Sequence, residues 1–261
     1  MKILMIGDIV REPGIRAVRQ FLKTYRKENN IDLVIANGEN ADGDGIKIKS
    51  AKILVDSGID IITIGNHGLI KEADQNKEKY DNYLLPALNK KGSCEFKEIE
   101  IESIKKKAII INLLGKINMG DEYIPDPFES IKQFLQRNAK TNIIIIDMHA
   151  ESNEEKKALG YYLDGKVSAV LGTHTHVPTA DVQIFEKGTA YVTDVGMVGA
   201  YNSVIGVTYE SSIKRFLLQR PIPFDTPIDK TIQFNSILIE IDPINGKAIK
   251  INRIDKIIEI S

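Results

Sequence analysis

The sequence predicts an α/β fold in which two sheets pack face to face with helices outside, carried by one domain over residues 1–261. Three observations predict it. Short, largely apolar runs recur at residues 3–6, 33–36, 61–64, 143–146 and 167–171, the signature of strands buried on both faces. Stretches with apolar residues at helical spacing separate several of these runs, which is the alternation of an α/β domain. The last part of the chain instead reads as strands, with Ile237 to Ile241 and Ala248 to Ile251 flanking Asn245-Gly246, a dipeptide that tolerates the positive φ of a hairpin turn.

Taken in order, Ile3-Leu4-Met5-Ile6 is the first strand, released at Gly7-Asp8. Ile15, Val18, Leu22 and Tyr25 repeat at helical spacing among Arg16, Arg19, Lys23 and Arg26 and predict a crossover helix. Leu33 to Ala36 is the second strand, followed by Asn37-Gly38-Glu39-Asn40, a loop through Gly43-Asp44-Gly45, and a helix over 48–57 stopped by Gly58. Ile61 to Ile64 ends in Gly65-Asn66-His67, and a helix is expected over 76–84. Residues 96–101 alternate in polarity, and 107–114 reads either as their partner strand or as the start of a second sheet. Pro125-Asp126-Pro127 opens a helix whose buried face is Phe128, Ile131, Phe134 and Leu135. Ile143 to Ile146 leads into Asp147-Met148-His149-Ala150-Glu151 and a helix over 152–163; Val167 to Leu171 leads into Gly172-Thr173-His174-Thr175-His176. Short strands are expected over 181–185 and 189–193, then a Gly/Ser-rich connection through Gly196, Gly199, Ser203 and Gly206. No linker or internal repeat divides the chain.

The balance of the chain is that of an ordinary folded protein: 43% hydrophobic residues and 27% charged ones. A net charge of -1 supplies no field for duplex nucleic acid. Cys94 is the sole cysteine, so a metal would be bound by nitrogen and oxygen rather than by a thiolate cluster. Asp8 and Arg11 interrupt the first apolar run before a signal-peptide core develops, and no run reaches a membrane span; a cytoplasmic protein is expected.

All four histidines, His67, His149, His174 and His176, stand just beyond apolar runs. Ligands of α/β sheets collect beyond the carboxyl ends of the strands, so these side chains can converge on one crevice. Singly, each motif has a plain alternative: Asp8 as a helix cap, Glu39 and Asn40 as turn residues, Asn66 as an Asx turn, His67 as a loop hydrogen-bonder. Together, Asp8, Glu39, Asn40, Asn66, His149, His174 and His176 are too many donors for one ion, but suit two ions sharing Glu39. Such donors fit iron, manganese or zinc. A two-metal centre stabilises phosphoryl transfer and activates water, with a bridging hydroxide as the expected nucleophile. His67, beside a candidate ligand, is the candidate general acid for an alkoxide leaving group.

These motifs, with Gly172 to Asp181 and Gly188 to Met197, resemble those of the calcineurin-like metallophosphoesterases, and within them the YmdB-like bacterial group. The resemblance covers nearly the whole chain. It implies a four-layer αββα sandwich, a dinuclear centre of divalent or mixed-valence ions, usually iron or manganese, and hydrolysis of cyclic nucleotides, notably 2',3'-cyclic ones. It further implies that Asp8, Glu39, Asn40 and His176 hold one ion, that Glu39, Asn66, His149 and His174 hold the other, and that His67 is the proton donor. Against the superfamily pattern, Val10 stands where a histidine is usual and Glu39 replaces the bridging aspartate. Against the closer group, Leu69 replaces an aromatic residue and Leu85-Pro86-Ala87-Leu88-Asn89 departs from a Pro/Asn-rich segment, which bears on substrate preference. Two other readings compete with the phosphodiesterase: a regulatory nucleotide-binding protein with little turnover, and a phosphomonoesterase. A homo-oligomer is compatible with the resemblance, and no interface is legible in the sequence.

Overall fold

A computed structural model describes residues 1–70, 82–90, 96–120, 123–138 and 141–260. Its first strand, β1 (Lys2–Ile9), shows why the apolar runs carry no alternation. Leu4 and Ile6 face Val18 and Leu22 of helix α1 (Arg11–Glu28), whereas Ile3 and Met5 face Ile143 and Ile145 of the other sheet. Each residue therefore meets a core, whichever side it points to.

β1 pairs in parallel with β2 (Leu33–Asn37), which pairs with β3 (Ile61–Thr63), and β3 with β4 (Leu84–Leu85). Helix α2 (Ile48–Asp56) connects β2 to β3 and ends, as the sequence predicts, before Gly58, whose φ is 107°. The second sheet begins with β5 (Lys97–Ile101) and β6 (Lys106–Leu114), an antiparallel pair with Lys97 opposite Ile110 and Ile101 opposite Lys106. Helix α3 (Pro127–Arg137), capped by the Asp126 side chain, leads to β7 (Ile143–His149). Helix α4 (Asn153–Tyr162), capped by Ser152, leads to β8 (Ala169–Thr173). Strands β9 (Gln183–Ile184) and β10 (Ala190–Val192) complete that sheet. The chain then returns to the first sheet through β11 (Met197–Ala200), helix α5 (Tyr209–Leu218), β12 (Thr231–Ile241) and β13 (Ala248–Glu259).

The strand orders are β13-β12-β11-β1-β2-β3-β4 and β5-β6-β7-β8-β10-β9. α1 and α2 cover the outer face of the first sheet, α3 and α4 that of the second, and a third apolar core lies between the sheets. The architecture is the four-layer αββα sandwich expected. The β12–β13 hairpin turns through Gly246 at φ 74°.

Four differences from the sequence expectation are informative. β1 runs past Ile6, carrying Asp8 inside the strand after an irregularity at Gly7. α1 has Val10 as its N-cap with no side-chain cap, which removes the reading of Asp8 as a helix cap. The helix expected over 76–84 lies mostly outside the described residues, and its last residue, Leu84, begins β4. The Gly/Ser-rich connection contains β11 and runs on into α5; that helix buries Ser211 and Ser212 while Ile213 and Phe216 are exposed, an inversion of the usual pattern that conceals it from periodicity.

Candidate metal centre

The two sheets bring the ends of β1, β2, β3, β7 and β8 to one crevice. Glu39, just beyond β2, is buried at 1% exposure and places its two oxygens toward different groups. Its Oε2 accepts the Asn66 amide at 2.7 Å and lies 3.0 Å from His149 Nε2. Its Oε1 lies 3.3 Å from Asn40 Nδ2 and 3.9 Å from His67 Nε2. His149 Nε2 is also 3.0 Å from Asn66 Oδ1 and 3.1 Å from His174 Nδ1. On the opposite side, His176 Nε2 lies 3.4 Å from Asn40 Nδ2 and 3.8 Å from Asp8 Oδ1. The structure thus places all seven candidate donors around one crevice, with His67 at the rim.

The histidine tautomers follow from their outer contacts. Thr173 faces His149 across the β7–β8 register, and its hydroxyl donates to Asp147 Oδ1 at 2.6 Å. Having spent its proton there, the hydroxyl accepts from His149 Nδ1 at 2.9 Å, which turns Nε2 into the crevice. His176 Nδ1 donates to the Ile205 carbonyl at 2.9 Å, again leaving Nε2 inward. His174 Nε2 lies 3.3 Å from Glu151, leaving Nδ1 inward. The Asn40 amide turns its nitrogen toward Glu39; ligation would use the flipped amide, with Oδ1 forward. Replacing Thr173 with Val is expected to weaken metal binding by roughly 10- to 100-fold with the fold retained, as metal titration followed by circular dichroism would show.

These residues fit a pair of cations. Glu39, His149 and His174 each offer a ligand atom within 4.8 Å of the others. Asp8 Oδ1 is buried without a hydrogen-bond partner among the described residues, as an acceptor kept for a cation would be. Gly65 is the third sign: at φ 43° it passes so close that a Cβ there would stand 1.7 Å from Glu39 Oε2 and 2.8 Å from His149 Nε2. Electrostatics agree. Burial pushes Glu39 upward, but the His149 imidazolium and its hydrogen bond outweigh this and hold the carboxyl at about 2. Burial opposes charge on His149, yet Glu39 raises it to about 9. Burial and then positive His149 push His174 down to about 3. Burial raises Asp8 to about 6 against the pull of His176. A proton on His149 balances Glu39 here; a bound cation would take over that balance and displace the proton.

The His-x-His loop is held open by its backbone. His174 and His176 adopt φ values of 101° and 64°, a region disfavoured for residues with a Cβ and retained at functional sites. Between them Thr175 donates both its amide and its hydroxyl to Asp194 Oδ2, at 3.1 and 2.8 Å. The same oxygen accepts from Lys156 Nζ at 2.8 Å, and both side chains of that ion pair are fully buried. Sequence reasoning assigned no role to Asp147, Thr173, Glu151, Asp194 or Lys156. Asp147 did carry a signal, since it follows an apolar run directly; Lys156, one of two adjacent lysines on a polar helix, carried none.

Facing sheets with helices outside, and with buried carboxylate, carboxamide and imidazole side chains gathered at their strand ends, are the architecture of the metallophosphoesterase sandwich. The chain belongs to the YmdB-like protein family, whose model matches residues 4–254. It is 40% identical over 262 residues to the 2',3'-cyclic-nucleotide 2'-phosphodiesterase of Bacillus subtilis (strain 168), covering 97% of this chain and 96% of that one. Among solved structures, a phosphatase from Mycoplasma pneumoniae superposes with a TM-score of 0.90 at 31% identity, covering 100% of this chain and 94% of the other. A hypothetical protein from Thermus thermophilus gives a TM-score of 0.86 at 36% identity, covering 98% of this chain and 99% of the other. The chain is therefore an enzyme of a phosphatase and phosphodiesterase family, and membership implies divalent metal ions. No helix among the described residues is long and apolar enough to cross a membrane.

Proposed function

We propose that this chain hydrolyses 2',3'-cyclic nucleotides, opening the cyclic diester at one ribose oxygen. The observation that carries this reading is the division of Glu39 between two donor groups, with His67 at the mouth of the crevice. Asp8, Glu39, Asn40 and His176 would hold one ion and Glu39, Asn66, His149 and His174 the other, with iron, manganese or zinc suited to these donors. Bound there, the ions supply positive charge for the phosphoryl oxygens and an activated water.

The chain's own residues do the rest. Glu39, fixed by the Asn66 amide, keeps the two donor groups in register. His67 is 39% exposed at its side chain, so its Nε2 can reach a substrate oxygen without leaving the rim. In the reaction the water oxygen loses one proton to solvent and forms a bond to phosphorus, the bond to the ribose oxygen breaks, and the proton held at His67 Nε2 passes to that oxygen and is replaced from solvent. The product is a ribose phosphomonoester with one free hydroxyl.

Replacing His67 with Ala is expected to leave metal content near normal and to slow turnover of 2',3'-cyclic AMP by about 100-fold or more. Unchanged turnover with full metal content would remove the proton-donor role. The similar Mycoplasma pneumoniae protein is a phosphatase, which supports a phosphomonoesterase as the second reading. A panel setting 2',3'-cyclic AMP against 3'-AMP decides between them, and tight binding without product would instead favour the regulatory nucleotide-binding protein.

A further inference from the structure

A cleft of about 470 Å³ runs outward from Asn40, His67 and His176, and its far wall belongs to neither sheet. That wall comes from α5 and the segment after it, through Arg215, Phe216 and Phe224. The volume lies within the roughly 300–1,000 Å³ of small-molecule sites. The Arg215 guanidinium stacks 4.9 Å from the centroid of Phe224, forming a flat, cationic and aromatic platform. Phe216 is 79% exposed and Phe224 42% exposed, so the rings face the cleft and solvent rather than a core.

Arg11 ties this wall to the metal centre. It opens α1 in the left-handed region, at φ 55°, an unfavourable setting for a residue with a Cβ. In that setting its amide donates to the Asn40 carbonyl at 2.9 Å, and its guanidinium donates to Thr226 Oγ1 at 3.2 Å, two residues beyond Phe224. One strained residue therefore fixes the distance between a candidate ligand and the platform, and strain of this kind is retained where a site needs it.

We infer that the Arg215–Phe224 platform, with Phe216 beside it, is the nucleobase subsite, and that Arg11 is the residue that positions it. This rests on the cyclic-nucleotide reading. Bases stack on aromatic rings and on guanidinium planes, and the platform offers both surfaces next to the place where the phosphate would sit. Glycerol 1,2-cyclic phosphate carries the same five-membered cyclic diester with no base, and so isolates the contribution of the platform.

The test compares kcat/KM for 2',3'-cyclic AMP with kcat/KM for glycerol 1,2-cyclic phosphate. In Phe224→Ala and in Arg215→Ala that ratio is expected to fall by roughly 5- to 100-fold, through KM for the nucleotide rather than kcat. A ratio equal to that of the wild type in both variants overturns the inference, whether both substrates slow together or neither slows. If the wild type turns over neither cyclic phosphate, the proposed function fails and the subsite is read by binding alone. Saturation-transfer NMR with adenosine should then show the base protons saturated by the wild type and not by Phe224→Ala. Absence of saturation with the wild type, or equal saturation with both proteins, overturns the subsite itself.

Discussion

Glu39→Gln is expected to lower turnover on the order of 10⁴-fold and to leave at most one of the two ions bound. The substitution keeps size and shape, so the cost falls on charge and on hydrogen-bond direction. A glutamine placed here meets the Asn66 amide, an N–H donor that now approaches Oε2 at 2.7 Å. Its side-chain oxygen can serve that amide, in which case its nitrogen faces the Asn40 and His67 side; the other orientation sets two donors against each other. Either way the carboxylate that reaches both donor groups is neutral, and two cations are left with Asp8 alone for compensating charge within the proposed ligand set. Several kcal/mol of transition-state stabilisation then go, each 1.36 kcal/mol being about tenfold in rate. Metal analysis of the purified variant alongside turnover of 2',3'-cyclic AMP checks both halves. A Glu39→Gln protein that retains two ions and turns over at a rate near the wild type would sink the bridging role.

The parts of this site that were legible in the sequence are those where local chemistry and strand position coincide. His149, His174 and His176 follow apolar runs, and a run that ends in an imidazole is conspicuous against a buried strand. The fold was legible for the same reason: Ile3 to Ile6 and Ile143 to Ile146 are apolar at every position because each residue meets a core on its own side. What stayed hidden depends on contacts across the sheets. Asn37 reaches from β2 to Asp147 and Thr173 on the other sheet, at 3.2 and 3.3 Å, and no local pattern encodes that meeting. α5 stayed hidden because its buried face is Ser211 and Ser212. The left-handed backbone at Arg11, His174 and His176 was equally invisible, since sequence propensity would place glycine or asparagine at such angles. In each case tertiary structure overrides the local preference, and it does so around the crevice.

The second large effect is expected at Lys156, a residue outside the proposed ligand set that lies behind the His-x-His loop. This lysine leaves α4 and runs under β8, its Cδ only 2.9 Å from where a Cβ on Gly172 would stand. Glycine at 172 thus leaves the space through which the aliphatic stem reaches Asp194. Lys156→Met keeps most of that stem and removes the charge, leaving a fully buried Asp194 carboxylate without its cation. Breaking a buried pair from one side costs about 3–5 kcal/mol, which for a chain of this size is a melting temperature lower by roughly 10 °C. The site should suffer too, because the oxygen that loses Lys156 also holds Thr175 between His174 and His176. With that hold weakened, both histidines are free to relax out of their left-handed geometry, and metal affinity should drop by at least about 10-fold. The neighbouring Lys157→Met serves as the control: Lys157 pairs with Asp181 at 3.2 Å with about a third of each side chain exposed, and its ammonium lies 4.6 Å from the Tyr191 ring centroid, so its removal should cost about 1–2 kcal/mol. Lys156→Met combined with Asp194→Asn should regain part of the lost stability by removing the stranded charge. It should not regain metal affinity, because an asparagine cannot accept from Thr175 with the strength of a carboxylate. Thermal melts and metal titrations of the three variants separate these effects, and a Lys156→Met protein that melts no lower than Lys157→Met would refute the buried clamp.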